Sequence, residues 1–396
     1  MVIDIKEKEN RVNSHKKRVN LIFKDHDIDK MIEKVLKTDS EKIIDEIKDS
    51  GLRGRGGAGF PTWIKFKSAK EAKSDIKYVV CNADEGEPGT FKDKEIIEKK
   101  AEKVLAGMMA VAKTIGAREG IIYLRAEYNY LVDDLQKKID VFNQKLNEKA
   151  FDFSVCIRSG SGAYVCGEET ALLESLEGKR GEARNKPPYP AQEGYLGKPT
   201  VINNVETLVY VALILLEGAD CFKKLGTMDS KGAKVFSISG DTDIPGIYEI
   251  EMGMTLKEFI ELFGDKDTKA VQVGGASGFC VPRSKFEDTI IGFEGVPTGG
   301  SMMLFSDKRS MYNILHNYLE FFVEESCGQC TPCRVGCQQL LRGIESIKTK
   351  GKPKKYIDEL LELARNMKIT SKCGLGQSVC NPFISIVENF REEIVY

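Results

Sequence analysis

The sequence predicts an α/β protein with a mostly parallel main sheet, followed by a smaller α+β module and a helical C-terminal part. Three observations carry that expectation. From residue 78, short apolar strand-like runs alternate with helical runs, the pattern of a parallel sheet covered on both faces. Residues 230–305 change to short β-like runs with many glycines. Beyond residue 310 the spacing is helical again, with cysteines at the start of that stretch and near its end.

Taken in order, the first 30 or so residues are polar and without period, and read as an arm on the surface. Residues 29–49 carry helical spacing through Met31, Ile32, Val35, Leu36, Ile43, Ile44 and Ile47. A glycine-rich loop follows at 51–59. Residues 78–81 form a first strand, and Thr90 with Asp93 resembles a capping box for a helix over 91–115. A second strand is expected at 120–125, a helix at 129–146, a third strand at 151–158 and a helix at 168–178. A helix over 204–217, capped by Asn203 or Asn204, closes this part. In the module that follows, KVFSISG, TIIGF and MMLFS read as strands around one helix near 256–263. The expected division is an arm and helix over 1–45, the parallel-sheet domain over 46–225, the α+β module over 226–308 and the helical domain over 309–396.

Composition excludes several classes. Among 396 residues, 59 Lys and Arg face 60 Asp and Glu. That balance does not suit a general nucleic-acid binder, which needs excess basic charge. The start shows no apolar signal segment, and the run at 208–216 is far short of the ~20 residues a membrane helix needs. A cytoplasmic protein is expected. The only histidines are His15, His26 and His316, which leaves little for histidine-based hydrolysis. Eleven cysteines without an export signal point to metal rather than to a disulfide framework.

Three loops carry candidate ligand chemistry. GLRGRGGAGF holds Gly54, Arg55, Gly56 and Gly57, with Arg53 and Lys65 nearby. It lacks the strand–loop–helix context of a dinucleotide fingerprint, but glycines flanked by cations suit a phosphate-bearing planar cofactor. CNADEGEPGTF places Asn82, Asp84, Glu85 and Glu87 at a strand's carboxyl end, where ribose or ribityl hydroxyls and ring N–H groups would find acceptors. GAYVCGEET opens a helix with Glu168 and Glu169 already complementing its dipole, so hydroxyl or nicotinamide contacts suit it better than phosphate. Tyr189 sits on a proline-stiffened segment and could stack on a base.

ESCGQCTPCRVGC supplies Cys327, Cys330, Cys333 and Cys337 in a C-x2-C-x2-C-x3-C spacing, with Cys373 and Cys380 farther on. Thiols so spaced let one loop wrap a corner of a [4Fe–4S] cluster; zinc would want two separated pairs. Spacing alone selects Cys337 as the fourth ligand. Against it, Gln338 follows where the ferredoxin run has proline, and no second run exists to share a cluster. Cys81, Cys156, Cys166, Cys221 and Cys280 have no common spacing and read as structural. A flavin or nicotinamide site beside one cluster suits hydride-to-electron conversion.

With these loops, INNVET and ESCGQCTPCR together, residues 45–396 resemble the NADH-binding flavoprotein subunit of respiratory complex I, the F subunit of the bacterial NADH:quinone oxidoreductase. The diaphorase subunits of NAD-linked hydrogenases and formate dehydrogenases share the resemblance. It implies a Rossmann-like FMN- and NAD(H)-binding domain, a ubiquitin-like SLBB module and a helical bundle carrying one [4Fe–4S] cluster. It further implies FMN near Gly54, Arg55, Gly56, Gly57, Lys65, Asn82, Asp84, Tyr164, Gly167, Asn203, Asn204 and Thr207. NADH is implied near Phe60, Glu85, Glu87, Glu168, Glu169, Lys186 and Tyr189, with Glu85 and Glu87 as the candidate catalytic carboxylates. The cluster ligands become Cys327, Cys330, Cys333 and Cys373. Glu169 is the expected sensor of the adenosine ribose: a carboxylate ~4 Å from a 2′-phosphate charge costs about 4 kcal/mol at an effective dielectric of ~20. Ser68 and Cys337 depart from the family pattern. The implied function is an NADH dehydrogenase subunit passing single electrons through the cluster to a thioredoxin-like [2Fe–2S] subunit and further iron–sulfur subunits. An electron-bifurcating subunit is the alternative within the family, and a non-catalytic iron–sulfur scaffold the one outside it.

Overall fold

The computed structural model describes residues 5–395; residues 1–4 and 396, ends of the expected arm and helical domain, lie outside the described residues. The arm is not patternless. It holds a helix, α1 (Ile5–Asn13), and a strap that runs on to residue 27. Val12 and Ile22 are buried, and Lys8 Nζ lies 2.6 Å from Asp243 and 2.5 Å from Asp265. Glu249 accepts the Leu21 and Ile22 N–H groups at 2.7 and 3.0 Å. A run with few apolar residues is thus ordered by partners more than 200 positions away. Helices α2 (Ile28–Lys37) and α3 (Ser40–Ser50) divide the 29–49 stretch at the extended Thr38 and Asp39. Helix α4 (Thr62–Glu71) follows the glycine loop.

The main sheet contains β1 (Tyr78–Ala83), β2 (Glu119–Leu124), β3 (Ser154–Ser159) and β4 (Thr200–Asn204) in the order β3-β2-β1-β4, every pair parallel. The crossovers include α5 (Lys92–Ile115), α6 (Val132–Glu148) and α7 (Glu169–Leu176); α8 (Val205–Glu217) and α9 (Ala219–Lys223) come after β4. Strand β4 is an addition to the expected elements: TVINN is only five residues and ends in two asparagines. Helix α8 is buried on nearly all sides because VETLVYVALILL lies among α5, α2, α3 and the sheet. Its crossing with α5 is close. A Cβ on Gly107 would stand 2.0 Å from the Leu208 carbonyl oxygen.

The expected Thr90–Asp93 capping box does not form. Phe91 occupies the cap position of α5 and contributes no side-chain bond. Instead Glu85 reaches across from the β1 end and accepts the Asp93 and Lys94 N–H groups at 2.7 and 3.0 Å. A carboxylate supplied from a distance satisfies the helix end as a local cap would.

A second sheet runs β6-β5-β11-β8-β9, built from β5 (Ala233–Gly240), β6 (Gly246–Glu251), β8 (Thr268–Val273), β9 (Phe279–Pro282) and β11 (Ser301–Ser306). Its β5–β11 pair is parallel and the rest antiparallel. The short strands β7 (Met254–Thr255) and β10 (Ile290–Ile291) pair separately, so TIIGF yields only two strand residues. Helix α10 (Leu256–Phe263), with a full Thr255–Glu258 capping box, buries Phe259 and Phe263 in this core. The C-terminal part is helical throughout: α11 (Met311–Glu325), α12 (Thr331–Lys348), α13 (Tyr356–Thr370), α14 (Gly374–Ser378), α15 (Cys380–Asn389) and α16 (Arg391–Val395). No helix among the described residues is long and apolar enough to cross a membrane.

Candidate functional site

Strands β1 and β4 lie side by side, while β2 and β3 continue on the other flank of β1. Chain direction reverses its lateral course there, and the carboxyl ends of β1 and β4 form the switch point where open α/β sheets take ligands. Asn82 pairs with Asn204 across it. A cleft of about 470 Å³ opens at this place, within the range of small-molecule sites.

All three parts of the chain wall the cleft. Gly56, Gly57 and Ala58 come from the glycine loop; Asn82, Asp84, Glu85 and Glu87 from the acidic turn; Tyr164, Gly167 and Glu168 from the turn before α7. The second sheet adds Ser277 and residues 297–299, and the helical part adds Gly374, Leu375 and Asn381. The walls are tied together. Asn82 Nδ2 donates to the Gly167 carbonyl at 2.9 Å, Tyr164 Oη donates to Glu87 at 2.6 Å, and Ser277 donates its N–H and hydroxyl to the same carboxylate. The Tyr164 N–H donates to Glu325 at 2.8 Å, just before the cysteine run, and Asn381 Nδ2 donates to the Ser277 carbonyl at 2.9 Å.

Burial raises the carboxyls here. Asp84 is pushed up to about 7 by desolvation, against the pull of Arg125. Glu85 is pushed up to about 7 by desolvation and by the nearby Asp93 carboxylate. Glu87 is raised by burial, with Ser277 and Tyr164 opposing. Two buried polar atoms in the cleft wall lack any partner: Asp84 Oδ2 and Thr90 Oγ1. Orphaned donors and acceptors of this kind are rare in native interiors and mark the place of a missing partner. A flavin mononucleotide, with ribityl hydroxyls, ring carbonyls and a ring N–H, carries the matching groups. The residues fit FMN.

Several expected site residues are engaged in the protein's own contacts rather than held free for a ligand. Arg55 is turned inward and buried: its guanidinium stands 5.7 Å from the Tyr210 ring and 5.5 Å from that of Phe222, and donates to the Lys231 carbonyl at 2.6 Å. Thr207 is also buried, its hydroxyl accepting the Arg55 N–H at 2.9 Å. Gly54 closes the loop by donating to the Phe60 carbonyl. The Glu85 carboxylate is committed to the α5 end and to Tyr128 Oη. Arg53 lies over Phe293 at 4.0 Å.

Beside the cleft, Lys65 Nζ bonds Glu169 at 2.7 Å, and Lys186 bonds Glu168 at 2.7 Å and Glu169 at 3.1 Å. Burial raises the Glu169 pKa less than Lys65 and Lys186 lower it, so it stays ionised. Two cations on that carboxylate reduce the repulsion expected against a 2′-phosphate. Phe60 and Tyr189, 46% and 54% exposed, present open aromatic faces. Sequence reasoning missed Lys92, Ser277, Thr298 and Asn381. Ser277 stands in GGASG, a glycine run of the same kind as those singled out, and offered a signal; the others did not.

Cys373 stands directly before the cleft-wall residues Gly374 and Leu375. Cys327 and Cys330 lie in the loop around Gly328 (φ +78°), Cys333 in the first turn of α12, and Cys373 caps α14. The first turn of α14 presses on Cys333, since a Cβ on Gly376 would stand 2.9 Å from Cys333 Cβ. Burial raises the Cys373 thiol, with the Leu375 and Gly376 N–H groups opposing. Cys337 is wholly buried with its Sγ 4.0 Å from that of Cys333. Among the described residues no three His, Cys, Asp or Glu side chains gather as the shell of a single ion. A four-thiol set spread over a loop and two helix starts fits a [4Fe–4S] cluster, whose ligands each take a separate iron.

Residues 47–213 match the Nuo51 FMN-binding domain, and residues 313–396 the NADH-ubiquinone oxidoreductase-F iron-sulfur binding region. The chain is 44% identical over 373 residues to the NAD-reducing hydrogenase HoxS subunit alpha of Cupriavidus necator, covering 92% of this chain but 62% of that one. It is 42% identical to the NADP-reducing hydrogenase subunit HndC of Solidesulfovibrio fructosivorans, covering 91% and 76%. With the F subunit of the NADH-quinone oxidoreductase of Aquifex aeolicus it shares 40% identity over 91% and 87% of the two chains. A crystal structure of an NAD+-reducing [NiFe]-hydrogenase in the H2-reduced state superposes with a TM-score of 0.88 at 39% identity, over 98% of this chain and 66% of that one.

Proposed function

Because this chain belongs to the family of NADH-quinone oxidoreductase F subunits and related hydrogenase subunits, we propose that it is the NADH-oxidising, electron-delivering subunit of a larger redox assembly. One observation carries the reading: Gly374 and Leu375, directly after Cys373, form part of the cleft wall, so flavin cleft and cluster thiols share one piece of backbone. FMN supplies, when bound, the exchange between a hydride donor and single-electron carriers. Gly56, Gly57, Asn82, Asp84, Tyr164, Gly167, Asn203 and Asn204 would hold it. Phe60, Lys65, Glu87, Glu168, Glu169, Lys186 and Tyr189 would orient the dinucleotide, and Cys327, Cys330, Cys333 and Cys373 would ligate the cluster. Gly54, Arg55 and Thr207 shape the site from behind, and Glu85 lines it with its carboxylate bonded to the α5 end. We further take residues 46–225, 226–308 and 309–396 as the units and a thioredoxin-like [2Fe–2S] subunit as the electron acceptor. The test is anaerobic addition of NADH to the purified yellow chain. Bleaching of the flavin band supports the reading; a flavin that stays oxidised sinks it.

Asp84 makes the cleft pH-sensitive. Without a ligand its carboxyl holds a proton up to about pH 7. A ligand hydroxyl or N–H donating to the orphaned Oδ2 favours the ionised form, so binding must release a proton in the window between its ordinary pKa of ~3.9 and about 7. FMN affinity is therefore expected to rise with pH through that window and level off above it. Calorimetric titration of the flavin-stripped chain, at one pH inside the window in buffers of different ionisation enthalpy, measures the release directly. Asp84→Asn should reduce it.

A further inference from the structure

Beneath the glycine loop lies a cluster of buried charges centred on Lys234, a residue that the proposed function does not use. Lys234, on β5 of the second sheet, is 1% exposed. Its ammonium donates to the Arg55 carbonyl at 2.7 Å and to Glu206 Oε2 at 3.0 Å. Glu206, fully buried in the first turn of α8, also pairs with Lys92 at 2.9 Å and accepts the Val235 N–H at 2.8 Å. Lys92 in turn pairs with Asp93 at 2.5 Å, whose other oxygen accepts Asn204 Nδ2 at 2.6 Å. Burying charge is expensive even when it is paired, and apolar residues of similar volume are often as good or better for stability. A buried lysine whose second bond goes to a loop carbonyl is therefore a poor stabiliser and a good positioner.

The loop geometry says what it positions. The Arg55 backbone is held on both sides, its N–H by Thr207 and its carbonyl by Lys234. The peptide unit is planar and trans, so fixing the Arg55 carbonyl also fixes the Gly56 N–H, which points the opposite way, away from Lys234. Gly56 and Gly57 line the cleft, and among the described residues neither N–H has a hydrogen-bond partner. Gly57 has φ +116°, a conformation suited to glycine. Two unpaired backbone donors held side by side form a concavity for an acceptor atom.

We propose that Lys234 is a positioning residue for the cofactor: by holding the Arg55 carbonyl from the second sheet, it aims the Gly56 and Gly57 backbone into the cleft. The inference rests on the reading that the cleft binds FMN. In the full chain, stripped of flavin by dialysis and retitrated with FMN, Lys234→Met should weaken binding by about tenfold or more. Iron content and melting temperature serve as controls of fold. Lys234→Met combined with Glu206→Gln restores charge balance without restoring a donor to the Arg55 carbonyl, and should remain weak for FMN. Lys234→Arg, which keeps a donor, should recover part of the loss. Unchanged FMN affinity in Lys234→Met, or tight binding regained in the double variant, would overturn the proposal. A wild-type chain that takes up no FMN would overturn the parent reading along with it.

Discussion

Cys373→Ser is expected to lose or degrade the cluster, whereas Cys337→Ser should keep its full iron content and its reduced-state EPR signal. The contrast is sharp because local spacing alone selects Cys337. Cys337 lies one turn beyond Cys333 on α12, wholly buried in the helical core with Leu340 and Ile344. Cys373 is only partly buried and caps α14, whose first turn presses on Cys333. A thiol packed inside a helix bundle should be dispensable to a cluster that four other thiols hold. One supplied by a separate helix start closes the ligand set. Iron analysis and EPR of the dithionite-reduced chains read the difference. Retained cluster in Cys373→Ser together with loss in Cys337→Ser would reverse the assignment.

Gly107→Ala is expected to destabilise the chain by about 3 kcal/mol, at the top of the usual range for overpacking. The added methyl would meet the Leu208 carbonyl oxygen at 2.0 Å and its carbon at 2.6 Å. These are backbone atoms of a helix buried on nearly all sides, so neither a rotamer change nor a local shift relieves the contact. Helices α5 and α8 must move apart. The first turn of α5, across the kink at Lys100, carries Lys92 and Asp93, and that of α8 carries Glu206 with Asn204 as its cap, so separation also strains the pairs under the glycine loop. Loss of flavin at temperatures well below those that release flavin from the wild type should accompany the drop in stability. Denaturant melts followed by far-ultraviolet circular dichroism and by flavin fluorescence would show both. Wild-type midpoints in both signals would mean that the crossing can relax.

The candidate site was legible where its chemistry is local. Two glycine loops and an acidic strand end announced a cleft, and the cysteine spacing announced a cluster, because ligand spacing in a single loop is written in consecutive residues. Strand β4 was not legible: TVINN follows a proline and ends in polar residues, and it becomes a strand by pairing with β1. The short arm hid its order for a related reason, since Lys8 and the Leu21 and Ile22 amides find their partners only in the second sheet and its loops.

By itself the sequence determined the alternation that makes a parallel sheet, the glycines that open the cleft and the thiols that can hold iron. Only the tertiary structure decided where the charged side chains point. Arg55 reads as a cofactor contact in its loop, yet Tyr210, Phe222 and Lys231 draw it inward. Glu85 reads as a ligand carboxylate, yet the open end of α5 claims it. Lys234 carries no motif at all, yet reaches the loop from another sheet. The reason is energetic. A charge or an unpaired backbone group is costly in the interior unless a partner meets it, and that partner is set by which distant segments fold against one another.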